Sequence, residues 1–402
     1  MRMRVTVGVV LGTLLLCVPR PVAAQAVDQV QVLQQQIEQL RKDFTERLAA
    51  LEAEIAALNA AQAALTTAAG PPNAKVFNPD IAVVGNFLGA AGRNVVNPSP
   101  ALEMAESEVS LQAVVDPYAR GDFFLSFGQQ GVNLEEGFIT FTELPGKLLA
   151  KAGKIRTAFG KVDGLHTHAL TWADRPLVTR NLLGGDEGLS DAGVSVARLV
   201  PAGPLFLEAT GQVFRGSSGD GVFESHQRSD LSYVGHLRAY QDLTESTNLD
   251  LGASVAHGHN AAGLVDDVDV GRFTTRLFGV DATLRWRPLQ RAIYQQFMAR
   301  SEIVWSQRGQ FGGRQDSLGY YLSADYQLAR RWFAGGRYDR AARADAAAVA
   351  DIGGSAVLTY RPSEFSQVRG QYRRIHFGDA ATANEVLFQA QFSIGAHGAH
   401  AF

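Results

Sequence analysis

The feature that most constrains this chain is an alternation of apolar and polar residues that recurs from Phe77 to its end. In residues 277–287, every second residue from Phe278 to Trp286 is apolar, and the residues between them are glycine or polar. A period of two is that of a β-strand, whose successive side chains point to opposite faces. Strands with one apolar and one polar face predict either a sandwich around an apolar core or a membrane barrel with lipid outside and water inside.

The connections between these segments favour the barrel. Tight turns are predicted at residues 116–117, 144–146, 201–204, 242–246, 288–290, 328–330 and 362–364. Longer, mostly Gly- and Asp-rich connections are predicted at residues 90–100, 129–132, 160–188, 215–230, 258–271, 309–316, 341–350 and 378–384. Short and long connections alternate, as they do at the two ends of outer-membrane barrels. The predicted fold is therefore an all-β membrane protein, an antiparallel transmembrane β-barrel of about sixteen strands, with both termini on the periplasmic side.

Composition agrees with this interpretation. The chain has 402 residues, 41 glycines and a mean hydropathy of -0.04. After its first residues it has no apolar run of the about 20 residues that a membrane helix needs. A formal net charge of -3 indicates no nucleic-acid partner, and no motif indicates a cofactor.

The N-terminus predicts export. Residues 1–26 combine the basic Arg2 and Arg4, an apolar run and a small-x-small cleavage site at residues 24–26, which is typical of a signal peptide. The only cysteine, Cys17, lies within this segment. The mature chain is therefore expected to contain no disulfide.

Behind the signal peptide, the apolar residues recur with a helical period. Residues 27–68 carry apolar residues at alternating steps of three and four, which predicts an α-helical coiled coil on the periplasmic side. A single amphipathic helix is the alternative. Residues 69–76 form the predicted linker, and residues 77–402 the barrel.

Strand parity predicts the residues that line the barrel interior. The early strands contribute acidic side chains and the late strands basic ones, and the first and last strands of a closed barrel are neighbours. The predicted pore-lining residues are Glu106, Glu108, Asp122, Glu136, Arg337, Arg361, Arg369 and Arg373. Acidic groups on one side of a pore and basic groups on the other produce a transverse electric field. The alternative is that these groups only form ion pairs with one another along a solvated wall.

Three histidine pairs are candidate metal ligands, at residues 166/168, 257/259 and 397/400. In an extended segment, residues i and i+2 point to one side, so His166 and His168 are the candidates for a shared zinc ion. Two ligands do not complete a structural site, and solvated loop histidines are the alternative. No metal is therefore assigned, and no catalytic motif such as G-x-S-x-G or H-E-x-x-H occurs, so we expect no enzyme.

The sequence Asn78-Pro79-Asp80-Ile81, the preceding coiled coil and the rhythm of strands and loops resemble the phosphate-selective porin-like superfamily of outer-membrane porins. A narrower resemblance lies in Leu165-His166-Thr167-His168 and the stretch 175–188. It is shared with barrels described as zinc-regulated TonB-dependent outer membrane receptors. Residues 77–402 are too few for a 22-stranded wall with a plug domain, so the chain is expected to be a channel.

The expected function is passive diffusion of small hydrophilic solutes or ions through a water-filled barrel in the bacterial outer membrane. The alternatives are a receptor or zinc-responsive uptake barrel and a structural anchor of the envelope. Expected partners are outer-membrane lipid, two further copies in a homotrimer and the barrel-assembly machinery, since a terminal aromatic such as Phe402 resembles the signal that this machinery reads.

One connection, at residues 160–188, is longer than the about 12–15 residues expected of an unstructured loop. Its apolar residues, such as Trp172 and Leu182, need cover, which the inner wall of a wide barrel offers. The resemblance implies that this third long connection folds inward as a constriction; an external cap is the alternative. The predicted constriction residues are Asp174, Arg175, Arg180, Asp186 and Glu187.

Overall fold

The described residues form a closed barrel. The structure is a computed structural model that describes residues 38, 39, 42, 79–128, 131–203, 205–265, 268, 269, 272–379 and 381–395. Within these residues, sixteen antiparallel strands form one closed sheet, in which each strand pairs with its neighbours in sequence and the first pairs with the last. None of the helices in this part of the chain is long and apolar enough to cross a membrane.

The barrel strands are numbered here in chain order. They are β1 Asp80–Arg93, β2 Leu102–Asp116, β3 Ala119–Gly128, β4 Gly131–Leu144, β5 Leu148–Arg156, β6 Ser190–Ala202, β7 Leu205–Phe214, β8 Ser232–Thr244, β9 Thr247–His259, β10 Thr274–Trp286, β11 Phe297–Gln310, β12 Gly313–Ala329, β13 Trp332–Ala342, β14 Ala350–Ser363, β15 Ser366–His376 and β16 Thr382–Gly395. A separate small hairpin pairs Leu264–Val265 with Val268–Asp269.

Closure joins β1 to β16, with Ala82 opposite Gly395 and Arg93 opposite Asn384. Because the number of strands is even, β1 begins and β16 ends at the same end of the barrel. The prediction of a barrel of about sixteen antiparallel strands is confirmed.

Outward-facing side chains are mostly apolar and exposed, whereas many inward-facing ones are polar and buried. On β10, Phe278 and Val280 are exposed, while Asp281, the residue after Val280, is buried. On β16, Phe388 is exposed and Gln389 is buried. Exposing large apolar side chains around a whole circumference is unfavourable in water, because apolar area contributes about 25 cal/mol per Å² when it is buried. The pattern is the reverse of a soluble protein's and fits surrounding lipid.

Three predicted connections are wrong. The longer connection predicted at residues 129–132 has only two residues, since β3 ends at Gly128 and β4 begins at Gly131, directly opposite it. The longer connection predicted at residues 309–316 is a two-residue turn, since β11 runs to Gln310 and β12 starts at Gly313, directly opposite it. Gly312 and Gly313 adopt positive φ angles of 92° and 131°, which permits the tight reversal. Conversely, the tight turn predicted at 288–290 is a ten-residue connection between Trp286 and Phe297.

Several predictions fall outside the described residues. They are the signal peptide, the linker, the terminal Phe402 and nearly all of the coiled coil, where Glu38, Gln39 and Lys42 are described as helical. These remain predictions.

The connection between β5 and β6, residues 157–189, lies inside the barrel and is called the inner loop. It contains a single 3₁₀ turn, Thr167–Ala169, and a short helix, α1, at Leu177–Leu182. Its polar and apolar contacts reach strands on several sides of the wall. The fold therefore places one long segment across the interior.

Candidate functional site

The inner loop packs its apolar side chains against the wall. Trp172 and Leu182 are fully buried, and the indole of Trp172 contacts Tyr321 edge-on at 5.5 Å between ring centroids. The loop residues in this apolar cluster are Phe159, Val162, Leu170, Trp172, Leu177, Val178, Leu182, Leu183 and Leu189. Because each fully buried Leu- or Phe-sized side chain contributes roughly 1.5–3 kcal/mol, the loop is held firmly inside the barrel.

Glycines on the wall make room for these side chains. A Cβ atom at Gly319 would lie 2.9 Å from Val178 Cγ2 and 3.0 Å from Leu182 Cδ1. A Cβ atom at Gly279 would lie 2.9 Å from the ring of Phe159. The loop and the wall are therefore complementary in shape at these positions.

Helix α1 has ends that explain its length. Its first amide, that of Leu177, donates to Asp339 Oδ1 on β13 at 3.2 Å, so a wall carboxylate satisfies a helix N-terminal donor. After Leu182, Gly184 and Gly185 adopt positive φ angles of 89° and 79°, which ends the helix. The wall thus fixes where the helix begins, and two glycines fix where it ends.

The start of the inner loop is bound to strand β9. Lys161 Nζ donates to Asp250 Oδ2 at 2.7 Å, and the Gly160 amide donates to Ser254 Oγ at 2.9 Å. Asp163 is fully buried and accepts from the Leu189 amide at 2.9 Å, which ties the two ends of the loop together. Burial raises the pKa of Asp163 to about 6.

The next part of the loop carries the cluster that we call the histidine anchor, consisting of His166 and His168 with Glu106, Glu108, Glu135 and Glu136. His166 Nδ1 lies 2.8 Å from Glu108 Oε2 and 2.9 Å from Glu135 Oε2. His166 Nε2 lies 2.9 Å from Glu136 Oε2. Burial alone would lower the pKa of His166, but these carboxylates outweigh it and raise the pKa well above its ordinary value.

His168 lies beside this group, with its ring centroid 5.6 Å from that of His166. Its Nδ1 is 3.7 Å from Glu108 Oε2 and 3.9 Å from Glu106 Oε2. The predicted pair therefore faces a common set of carboxylates, although a 3₁₀ turn and not an extended segment brings the two rings together.

A β-bulge explains why two successive glutamates reach the same histidine. Phe124 on β3 pairs with Glu136 on β4, but the next residue, Leu125, pairs with Leu134, so Glu135 is the extra residue. A bulge interrupts the alternation of side chains and redirects one of them. Strict alternation assigns only Glu136 to the interior, and for this reason the sequence alone does not reveal Glu135.

Farther along, the loop carries the aspartate anchor, which we define as Asp174 with Arg337, Gln371 and Arg373. Asp174 Oδ1 accepts from Arg337 at 3.1 Å and from Gln371 at 2.6 Å, and Oδ2 accepts from Arg373 at 3.1 Å. Burial alone would raise the pKa of Asp174, but the two guanidinium groups outweigh it and hold the pKa at about 2. One loop carboxylate is thereby bound to two strands.

The eight predicted pore-lining residues have the inward parity of their strands and have defined contacts, and five of them are buried: Glu108, Asp122, Arg337, Arg369 and Arg373. That they line a pore stays a prediction. Glu106, Glu108 and Glu136 belong to the histidine anchor, and Arg337 and Arg373 to the aspartate anchor. The others bind elsewhere: Asp122 accepts from Arg120, Arg361 lies 4.5 Å from the ring centre of Phe333, and Arg369 donates to the carbonyl of Trp172. Acidic β2–β4 and basic β13–β15 are thus connected through the inner loop.

The predicted constriction residues divide into two groups. The side chain of Asp174 is 10% exposed and Arg175 is buried. Arg175 donates to the carbonyls of Val162 and Leu165 within its own loop, so it does not border an open passage as predicted. Arg180 forms an ion pair with Asp186 at 3.2 Å, and Asp186 and Glu187 are exposed. The buried guanidinium of Arg175 has its donors directed at loop carbonyls, which sequence spacing does not reveal.

No protein-family model matches the chain. A protein of Aquifex aeolicus (strain VF5) described as uncharacterized is 26% identical over 391 residues, covering 83% of this chain and 81% of that protein. The narrower assignment to the phosphate-selective porin-like superfamily therefore stays a prediction.

Solved structures share the fold. The outer membrane channel DcaP of Acinetobacter baumannii has a TM-score of 0.52 at 12% identity and covers 79% of this chain and 96% of its own. The anion-selective porin from Comamonas acidovorans has a TM-score of 0.52 at 11% identity, with coverages of 79% and 98%. OmpT of Vibrio cholerae, in a trimer form, has a TM-score of 0.52 at 10% identity, with coverages of 79% and 99%. This chain therefore has the barrel fold of these outer-membrane proteins.

Proposed function

We propose that this chain is an outer-membrane channel through which small hydrophilic solutes diffuse passively, and that the inner loop sets the width of its passage. The observation that carries the proposal is the inner loop itself, held against the inside of a sixteen-stranded wall by apolar packing and two charged anchors. Barrels of sixteen to eighteen strands leave an aqueous channel. A segment fixed inside such a barrel narrows that channel.

The wall chemistry supports the same function. The apolar exterior fits a lipid surround, and the inner face carries carboxylates and guanidinium groups, many of them buried against one another and against the inner loop. The neighbours described as a channel and an anion-selective porin add support. We propose no solute selectivity, because acidic and basic groups both face inward.

Replacement of 165–185 with a short Gly/Ser linker tests the proposal. The change removes both anchors and helix α1, so single-channel conductance in a planar bilayer should rise several-fold. The control replaces 95–99, an exposed part of the β1–β2 connection, and should leave the conductance unchanged. An unaltered conductance in the first variant, with heat-modifiable mobility showing a folded barrel, would refute the constriction.

We further propose that the chain forms a homotrimer and that the predicted coiled coil, residues 27–68, aligns the three copies in the periplasm. A coiled coil with mixed Ile and Leu core positions permits more than two strands, and the OmpT neighbour occurs in a trimer form. Measuring the mass in detergent with and without residues 27–69 tests the role of this segment. A trimer that persists unchanged without this segment would show that the coiled coil is not needed for assembly of the three copies.

A further inference from the structure

The histidine anchor contains more negative than positive charge. The groups in ion-pair contact with its four carboxylates, among the described residues, are Arg156 and the two histidines. Even if both imidazoles are protonated, three positive charges face four negative ones. Glu108 is only 2% exposed and His166 only 3%. Because buried charges without compensation are costly, this cluster favours an additional cation.

The contact geometry also brings two carboxylate oxygens to one ring nitrogen. His166 Nδ1 lies 2.8 Å from Glu108 Oε2 and 2.9 Å from Glu135 Oε2, and one N–H group aligns well with only one acceptor at a time. Glu108 and Glu135 are both buried, so two buried carboxylate oxygens share a single donor at this point.

The donor atoms are close enough to share an ion. Those of Glu108, Glu135 and His166 all lie within 4.8 Å of one another, and the same holds for Glu106, Glu108 and His168. Zinc bonds of about 2.0–2.1 Å separate tetrahedral ligands by about 3.3 Å. The distances of 2.8 and 2.9 Å at His166 need only small adjustments to reach this value.

We propose that Glu108, Glu135 and His166 bind one divalent transition-metal ion, with His168 and Glu106 as the adjacent donors that complete its coordination. Imidazole nitrogen and carboxylate oxygen without thiolate suit zinc and similar ions, whereas calcium and magnesium prefer oxygen ligands. The ion takes the place of the proton on His166 Nδ1, and this proton leaves to solvent. Arg156, which donates to Glu135 Oε2 at 2.7 Å, orients that ligand.

The bound ion would link the inner loop to β2 and β4. Glu108 lies on β2, Glu135 on β4 and His166 on the loop, so coordination joins three segments that are far apart in sequence. The inference rests on the position of the loop and not on the proposed channel, so a closed barrel could also bind the ion.

The test measures zinc binding by the purified full-length protein, with isothermal titration calorimetry and metal analysis after dialysis against a chelator. We expect about one zinc per chain, and an affinity at least about tenfold lower in Glu108→Gln and in His166→Gln. Glu108→Gln should fold, because it removes one of four neighbouring like charges. The matched control, His257→Gln with His259→Gln, changes a histidine pair on β9 and should bind zinc like the wild type.

A second measurement follows hydrogen exchange in residues 157–189. Zinc should slow exchange there in the wild type and in the β9 control, and not in Glu108→Gln. The proposal is overturned if the wild type binds no zinc, or if the β9 variant loses zinc while Glu108→Gln retains it. Neither measurement uses conductance, so a failure of the zinc proposal and a failure of the channel proposal give different results.

Discussion

The two anchors of the inner loop hold it with different chemical groups. In the aspartate anchor, Asp174 binds the guanidinium groups of Arg337 and Arg373, which also pair with Asp339 and Glu385 on the wall. In the histidine anchor, four carboxylates meet one guanidinium and two imidazoles.

The comparison separates a structural role from a binding role. Guanidinium groups remain charged and donate in fixed directions, so the aspartate anchor is complete without any ligand. Imidazoles exchange their protons and also bind metals. The first anchor therefore serves to hold the loop, while the second has the charge and the donors to accept an ion as well.

The largest effect is expected from Asp174→Ala. Removing this carboxylate leaves two buried guanidinium groups with fewer partners, and breaking a buried pair in this way costs about 3–5 kcal/mol. The free energy of unfolding, measured by urea titration of the refolded barrel, should fall by this amount, and exchange should accelerate around Trp172 and helix α1.

Asp186→Ala is the matched control, because Asp186 lies on the same loop and pairs with Arg180, but its side chain is 71% exposed. An exposed pair contributes about 0–1 kcal/mol. Equal losses in the two variants would show that the aspartate anchor does not hold the loop.

A smaller effect is expected from Gly319→Val, which tests the apolar packing of helix α1 against the wall. The added side chain would collide with Val178 and Leu182, and overpacking of this kind costs about 1–3 kcal/mol. Limited proteolysis and urea unfolding should show a destabilised inner loop while the barrel still forms.

Gly354→Val is the control for this substitution. A Cβ atom at Gly354 meets nothing within 4 Å, so a valine there should leave stability unchanged. If Gly319→Val is as stable as this control, the contact between loop and wall is looser than the geometry indicates.

The smallest effect concerns pH. Burial raises the pKa of Asp163 to about 6, so ionisation of this carboxyl group is unfavourable in the folded state. The free energy of unfolding should therefore decrease as the pH rises through 6. Between pH 5 and 7, the wild type should lose about 1 kcal/mol of unfolding free energy relative to Asp163→Asn. Arg156, Arg175 and Glu302 are the charged groups near Asp163 and are present in both proteins.

The aspartate anchor should behave differently over the same range. The pKa of Asp174 is depressed to about 2, so its contribution is present above pH 4 and is lost as the pH falls from about 4 to 2. Asp174→Ala and wild type should therefore differ by the same amount at pH 5 and pH 7. A difference that changes within this range would contradict the pairing of Asp174 with the two arginines.

The sequence by itself determined the class of fold. A period of two with apolar side chains such as Phe278 and Val280 on one face leaves few alternatives, because the face must meet either another sheet or lipid. The rhythm of connections gave the strand number, and the length and apolar content of 160–188 marked the inner loop. These are local properties, which a sequence displays directly.

Only the tertiary structure decided what meets the loop. His166 reaches Glu108 and Glu135, which lie 58 and 31 residues earlier, and no local pattern specifies that distance in space. The bulge at Glu135 breaks the alternation on which the prediction depended, and Arg175 turns back into its own loop. Strand register, bulges and closure of the barrel depend on contacts between distant segments, and these contacts arise only when the whole barrel is formed.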